Sequence, residues 1–178
     1  TAWPTPAHDA AGNLTGIPQP LSLGSSYTLT WDAWNRLMTV KSGGTTVATY
    51  RYDGASRRTT KNDGTNTRHC YYSNQWQVLE ERLNSGTTSD RQFVWGILSI
   101  DNMILRDKFV PGALLRTYAL SDAMGSVTAL VSISGSVVQR QGYNGFGAPR
   151  YMTASFGSSS DSYSWETLFD GYRYDTDT

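Results

Sequence analysis

The sequence predicts an all-β chain: consecutive antiparallel β-hairpins laid side by side in an open, solenoid-like strip, with little or no helix. Three observations carry this. First, a short box recurs, in which an aromatic or His residue is followed by Asp, small turn-forming residues and then Arg or Asn. It reads His8-Asp9-Ala10-Ala11-Gly12-Asn13, Trp31-Asp32-Ala33-Trp34-Asn35-Arg36 and Tyr52-Asp53-Gly54-Ala55-Ser56-Arg57. Second, the aspartates of these boxes are spaced by 23 and 21 residues, a period that marks a repeat architecture. Third, the segments between boxes are rich in aromatic and β-branched residues, and no helical spacing of apolar residues is sustained. A unit of roughly 20 residues has room for two short strands and two turns, which is one hairpin.

Taken in order, residues 1–26 form a Pro-rich segment that holds the first box. Thr1-Ala2-Trp3-Pro4-Thr5-Pro6 and Ile17-Pro18-Gln19-Pro20 suit an extended chain lying along a neighbour. Residues 27–152 form the hairpin array. Within it, residues 27–31, 46–52 and 127–131 are strand-like, being rich in aromatic and β-branched side chains. Asp, Asn and Gly supply the box turns, because Asp and Asn bond nearby amides and Gly adopts left-handed backbone freely. Second turns fall at Ser42-Gly43-Gly44, Asn62-Asp63-Gly64-Thr65-Asn66, Asn84-Ser85-Gly86 and Ser134-Gly135-Ser136. Residues 75–83 are the best helical candidate, yet Trp76, Val78 and the turn at Asn84 fit a strand equally well. Weaker boxes follow at Tyr71-Tyr72-Ser73-Asn74, at Ile100-Asp101-Asn102 as a distant copy, at Ser121-Asp122-Ala123-Met124-Gly125, and at Tyr143-Asn144-Gly145-Phe146-Gly147-Ala148-Pro149. Residues 153–178 are a C-terminal segment in which Gly171-Tyr172-Arg173-Tyr174-Asp175 is read as a closing copy.

Composition narrows the function classes. The 178 residues predict one domain, with a second compatible with the length. Fifteen basic and 15 acidic residues cancel, and neither sign is clustered, so no nucleic-acid surface and no acidic tail is expected. No apolar run approaches the roughly 18 residues of a membrane helix, so no membrane insertion is expected. No secretion signal opens the sequence, as expected of a chain that begins after one or is cut from a longer protein. The single Cys70 excludes an intrachain disulfide, which leaves packing and strand pairing to stabilise the fold.

The boxes carry a family resemblance. Tyr52-Asp53-Gly54-Ala55-Ser56-Arg57-Arg58 and His8-Asp9-Ala10-Ala11-Gly12-Asn13-Leu14-Thr15 resemble the YD repeats of Rhs (rearrangement hot-spot) proteins, teneurins and the shell components of bacterial Tc toxins. The stretch from Tyr143 to Pro149 resembles the tyrosine–glycine part of the Rhs-associated core, and Gly171-Tyr172-Arg173-Tyr174-Asp175-Thr176-Asp177-Thr178 resembles the opening of its closing motif. The resemblance implies a secreted or surface-exposed bacterial protein in which hairpins spiral into a hollow shell. It assigns structural repeat roles to His8, Asp9, Gly12, Asn13, Trp31, Asp32, Arg36, Tyr52, Asp53, Arg57, Tyr143, Gly145, Gly147, Tyr172, Tyr174 and Asp175. The sequence holds about seven or eight such units, fewer than shell closure needs, and stops before the family's arginine-rich continuation and Asp-Pro cleavage site. Autoproteolysis and toxicity are therefore not implied.

The expectation is a non-enzymatic extracellular structural protein without cofactor or metal. An open strip exposes unpaired strand edges and an apolar face. It is expected to associate with itself into a larger assembly or filament, or to join further YD repeats of a longer chain. One alternative is a carbohydrate- or cell-surface-binding module that uses Trp34, Trp76 and Trp95. Another is a fragment of a toxin-encapsulating shell. Catalytic readings are weak. His69 and Cys70 are adjacent and would point to opposite faces of a strand, as would Glu80 and Glu81, which read as a solvated edge. Asp175-Thr176-Asp177 lacks a coordinating loop. Asn13-Leu14-Thr15 fits a glycosylation acceptor, but Asn13 is already accounted for as a turn residue. Pairing of Asp53 with Arg57 or Arg58 is expected to tie adjacent hairpins, at about 0–1 kcal/mol per exposed pair.

Overall fold

The computed structural model describes residues 4–19, 22–145 and 147–175. Among these residues, fourteen strands follow one another in a single antiparallel sheet, in sequence order. They are β1 (Ala7–His8), β2 (Leu14–Gln19), β3 (Ser22–Trp31), β4 (Leu37–Ser42), β5 (Thr45–Tyr52), β6 (Arg58–Asn62) and β7 (Thr67–Tyr72). The rest are β8 (Val78–Leu83), β9 (Arg91–Trp95), β10 (Met103–Val110), β11 (Ala113–Ser121), β12 (Val127–Ser132), β13 (Val137–Tyr143) and β14 (Pro149–Met152). The all-β class is as expected, and among the described residues the helical content is one 3-10 turn, Phe169–Gly171. Of the sequence readings, those on residues 1–3, Pro20, Phe146 and residues 176–178 lie outside the described residues.

The hairpin connections follow from local chemistry. β4 and β5 are joined through Gly43 and Gly44, both with positive φ (55° and 86°), as a tight two-residue hairpin demands. Asp63 Oδ1 accepts the amides of Thr65 and Asn66, at 2.8 and 2.7 Å, and closes the β6–β7 turn. β10 and β11 turn at Pro111-Gly112, a connection the sequence reading passed over; Gly112 has φ +78°, which a type II turn requires after Pro. Residues 75–83 resolve as strand from Val78 onward, with the preceding residues in a box turn.

The chain divides into two compact units, residues 4–70 with 83–85, and residues 71–82 with 86–175. In the first, Leu29, Val40, Ala48 and Tyr50 from β3, β4 and β5 make the core, with Ile17, Tyr27, Trp31, Leu37, Val47 and Tyr52 packed around it. Each fully buried large side chain of this kind stabilises by about 1.5–3 kcal/mol. In the second, Met103, Val127 and Leu130 of the sheet pack against Trp165 and Leu168 of the C-terminal segment. An apolar sheet face that the sequence reading left open is thus covered by the chain itself.

Candidate functional site

The recurrent box is a stapled turn. Its first residue donates its amide to the carbonyl four residues on, and the residue three on donates back to the first carbonyl. Asp9, Asp32, Asp53, Asp122, Asn144 and Thr153 each open such a turn, with bonds of 2.8 to 3.1 Å. The fourth position is left-handed: Gly12, Asn35, Ser56, Gly125, Gly147 and Phe156 all have positive φ, the pattern of a type I turn followed by a bulge residue. In the aspartate copies one carboxylate oxygen accepts two amides. Asp32 Oδ1 takes those of Trp34 and Arg36, at 2.9 and 3.0 Å. Asp9, Asp53 and Asp122 repeat this arrangement. The other oxygen takes the side chain four residues on: Asn13 Nδ2 at 3.0 Å, Arg36 Nε at 2.7 Å and Arg57 Nε at 2.7 Å. That geometry explains why Arg or Asn follows Asp at that spacing. It also lowers the carboxyl pKa values, led by the Asn13 carboxamide at Asp9 and the Arg57 amide at Asp53. At Asp32 burial pushes upward and is outweighed by the Arg36 amide and guanidinium.

The aromatic residue before the turn ties one hairpin to the previous one. Trp31 Nε1 donates to the Leu14 carbonyl at 2.6 Å, Tyr52 Oη to Leu37 at 2.9 Å, Trp95 Nε1 to Val78 at 2.7 Å and Tyr143 Oη to Val127 at 2.5 Å. Each acceptor stands directly after the preceding box turn. Arg36 adds a second tie, as its Nη1 donates to the Asp53 carbonyl at 2.9 Å while its guanidinium lies 5.2 Å from the Trp34 ring and 5.0 Å from that of Tyr52. The Asp–Arg ion pairs therefore sit inside single turns, and carbonyl bonds join neighbouring hairpins. His8 is exposed on β1. Gly145 lies in the turn opened by Asn144, ahead of the left-handed Gly147.

Besides the Pro111-Gly112 turn, two box-like turns escaped the sequence reading. Trp95 holds the aromatic slot, but Gly96 stands where Asp would, and the turn is lengthened so that the Gly96 amide donates to the Asn102 carbonyl at 2.7 Å. A Cβ on Gly96 would lie 1.7 Å from Asn102 Oδ1, so the Asn102 carboxamide occupies the space an aspartate side chain would leave. Ile100-Asp101-Asn102 is thus the far end of this turn. The other is the turn at Thr153, whose Oγ1 accepts the Gly157 amide at 3.0 Å.

The C-terminal segment forms a cap on the second unit. Ser158 pairs with Met152, and the Ser159 amide donates to the Tyr151 carbonyl at 3.1 Å, so the outer edge of β14 is partly occupied. The chain then turns inward, held by Gln139, whose Nε2 donates to Asp161 Oδ1 at 3.2 Å and whose Oε1 accepts the Ser162 amide at 3.0 Å. Arg106 donates to the Ser164 and Tyr163 carbonyls, both at 2.6 Å, and lies 4.7 Å from the ring of Trp165, which is 2% exposed. The Val127 amide donates to the Leu168 carbonyl at 3.1 Å.

Beside this plug lies a buried ion network. Arg91 Nη1 donates to Glu166 at 2.6 Å and to Glu81 at 3.3 Å, and Arg173 joins both carboxylates. Burial would raise the Glu166 pKa, but Arg173 and Arg91 outweigh it and hold the carboxyl at about 2. Glu81 is fully buried here, which corrects its reading as part of a solvated edge. Tyr172, Tyr174 and Asp175 belong to this cap, where Arg173 pairs with Thr167 and the Tyr174 amide donates to the Glu166 carbonyl at 2.6 Å.

The three candidate glycan-contact residues differ. Trp34 is 74% exposed and Trp76 is 54% exposed; Trp95 is half-buried with its indole N–H engaged by Val78. His69 and Cys70 are consecutive in β7, with Cys70 buried. No group of three or more His, Cys, Asp or Glu residues able to hold a metal is found among the described residues.

No family model and no curated protein matches the chain. Solved structures do. The chain is similar to part of the TcdB2–TccC3–Cdc42 crystal structure, with a TM-score of 0.61 and 18% identity over 94% of this chain and 8% of that one. It is likewise similar to TcdB2–TccC3, at a TM-score of 0.54 and 16% identity, again over 94% and 8%. A TcdB2–TccC3–TEV structure gives 0.51 and 19%, over 95% and 8%. The chain therefore spans less than a tenth of the length of these Tc-toxin chains. What it shares with them is the fold, a YD-type strip of β-hairpins.

Proposed function

We propose that this chain is a non-enzymatic structural segment of a YD-type shell, in the manner of the Tc-toxin chains it resembles, working outside the bacterial cell or at its surface. The observation that carries this reading is that the recurrent box is used up internally. Its carboxylates, guanidinium groups and aromatic donors are spent on turn amides and on the carbonyls of neighbouring hairpins.

The two sheet edges are not equivalent. β14 is four residues long, begins with Pro149 and is partly covered by Ser158 and Ser159. Those are recognised devices against edge pairing. β1 has no partner on its outer side among the described residues. Growth therefore runs through β1, toward further hairpins of a YD chain or, when the chain is alone, toward a second copy. With one usable edge the favoured product is a closed two-fold pair, because an endless filament needs two complementary surfaces. Light scattering on the purified chain tests this. Dimers are expected for the native sequence, and monomers for Ala7→Pro, which disrupts the edge strand. Monomers of the native chain at all concentrations contradict the reading.

A second reading is favoured by Trp76. It has φ +67° at the left-handed position that other copies of the turn fill with Gly, Asn, Ser or, once, Phe, a strained backbone for a bulky residue. It lines an open cleft of about 480 Å³ with Gln75, Gln77 and Ile100. An aromatic face flanked by carboxamides suits a sugar ring. Glycan-array binding that is lost in Trp76→Gly supports this use, and an array without signal removes it.

A further inference from the structure

A second cleft, of about 320 Å³, opens on the second unit between β10, β11, β12 and the cap at Ser162 and Tyr163. Its walls are largely apolar, from Leu115, Ile133, Val138 and Tyr163, with the Lys108 side chain on the same sheet face as Leu115. Its floor is not. Arg106 lines it and is 3% exposed. Buried charges are ordinarily paired, because an isolated ion loses its hydration without compensation. A second buried guanidinium of this unit obeys that rule, since Arg91 meets Glu81 and Glu166. At the cleft wall Arg116 is likewise neutralised, by Asp107 at 2.8 and 2.7 Å. Arg106 differs. Its two terminal nitrogens donate to neutral carbonyls rather than to carboxylates, and its Nε, like that of Arg91, is buried without a hydrogen-bond partner. No carboxylate lies within ion-pair distance of it among the described residues.

We propose that this cleft is a binding site for a medium-chain aliphatic carboxylate, with the acyl chain along Leu115, Ile133 and Val138 and the carboxylate toward the Arg106 guanidinium. The volume lies at the lower end of the range for small-molecule sites, whose pattern is an apolar lining with a few oriented polar groups. Burial and the nearby Arg91 charge lower the Arg106 pKa to about 10, opposed by Glu166, Glu81 and Asp161. The side chain thus stays a cation at neutral pH. An incoming carboxylate would supply the counter-charge that the fold leaves out.

The site is distinct from the edge-pairing surface, so its test does not depend on oligomeric state. Titration calorimetry with octanoate, octan-1-ol and acetate separates the contributions of head and tail. Octanoate is expected to bind at least tenfold more tightly than either of the others. Arg106→Gln removes the charge but also loosens the cap, so the deciding variant is Leu115→Glu. Leu115 is 51% exposed, so the fold tolerates the change, while the new carboxylate repels the ligand and fills the wall. Binding is expected to weaken at least tenfold in this variant. Absence of octanoate binding at millimolar concentration, equal binding of octanol, or unchanged affinity in Leu115→Glu each overturns the proposal.

Discussion

Replacement of Trp165 by Ala isolates the contribution of the C-terminal cap. Trp165 is buried against Met103, Val127, Leu130 and Leu168, and truncation of a buried aromatic residue to Ala costs about 3–5 kcal/mol. Loss of its contact with the Arg106 guanidinium, 4.7 Å away, adds to that figure by roughly 0.5–2 kcal/mol. One feature works in the opposite direction. The indole Nε1 is buried without a partner, and an orphaned donor already costs about 1–3 kcal/mol in the native protein. The net loss is therefore set near 3–4 kcal/mol. Trp165→Phe keeps most of the ring and deletes the orphan, so it should change stability by less than about 1.5 kcal/mol. Urea unfolding followed by circular dichroism gives the totals. Amide exchange localises them: Val127, whose N–H donates to Leu168, should exchange roughly 100- to 1,000-fold faster in Trp165→Ala, since each 1.4 kcal/mol is a factor of ten. The Tyr50 amide in the other unit should be unaffected. Equal damage from Phe and Ala, or unchanged Val127 protection, would refute the cap as a packed element.

Acid should loosen the same cap. The Glu166 carboxyl is held at about 2, below its ordinary 4.5, so its contribution is fully present above about pH 4.5 and is lost as pH falls toward 2; urea midpoints across that window should fall, and less steeply in Glu166→Gln. Gly96→Ala should destabilise by about 1–3 kcal/mol, because the added methyl meets Asn102 Oδ1, and a further Asn102→Gly change should restore part of the loss in a thermal melt. Tyr52→Phe should lower stability by about 1 kcal/mol, through loss of the bond to the Leu37 carbonyl. Trp76→Gly should leave the fold as stable or stabilise it by up to about 1 kcal/mol, since it relieves a left-handed bulky residue, and calorimetry would show this directly.

The parts of the fold that were legible in the sequence are those whose causes are local. Asp32 and Arg36 meet within one turn, so their spacing can be read directly, and with it the hairpin period. The aromatic partner of each box was visible as a recurring residue, but its acceptor was not, because Trp31 and Leu14 are 17 residues apart. Trp95-Gly96 hid a box because the oxygen that serves the turn belongs to Asn102. The cap was invisible for a stronger reason. Its partners are far away in sequence, as with Arg91 and Glu166, which are separated by 75 residues, and residues 159–175 have no periodicity that fixes which face they bury. Glu81 was misjudged because a charged residue in a strand normally faces water; only Arg91 and Arg173 together make its burial tolerable.

The two edges of the sheet differ, β1 being open among the described residues and β14 partly covered. Amide exchange measured as a function of protein concentration tests this difference most directly. If chains pair through β1, protection at Ala7 and His8 should rise with concentration while that at Arg150 and Tyr151 in β14 stays constant. Concentration-independent exchange at β1, or protection that grows at β14 instead, would contradict it.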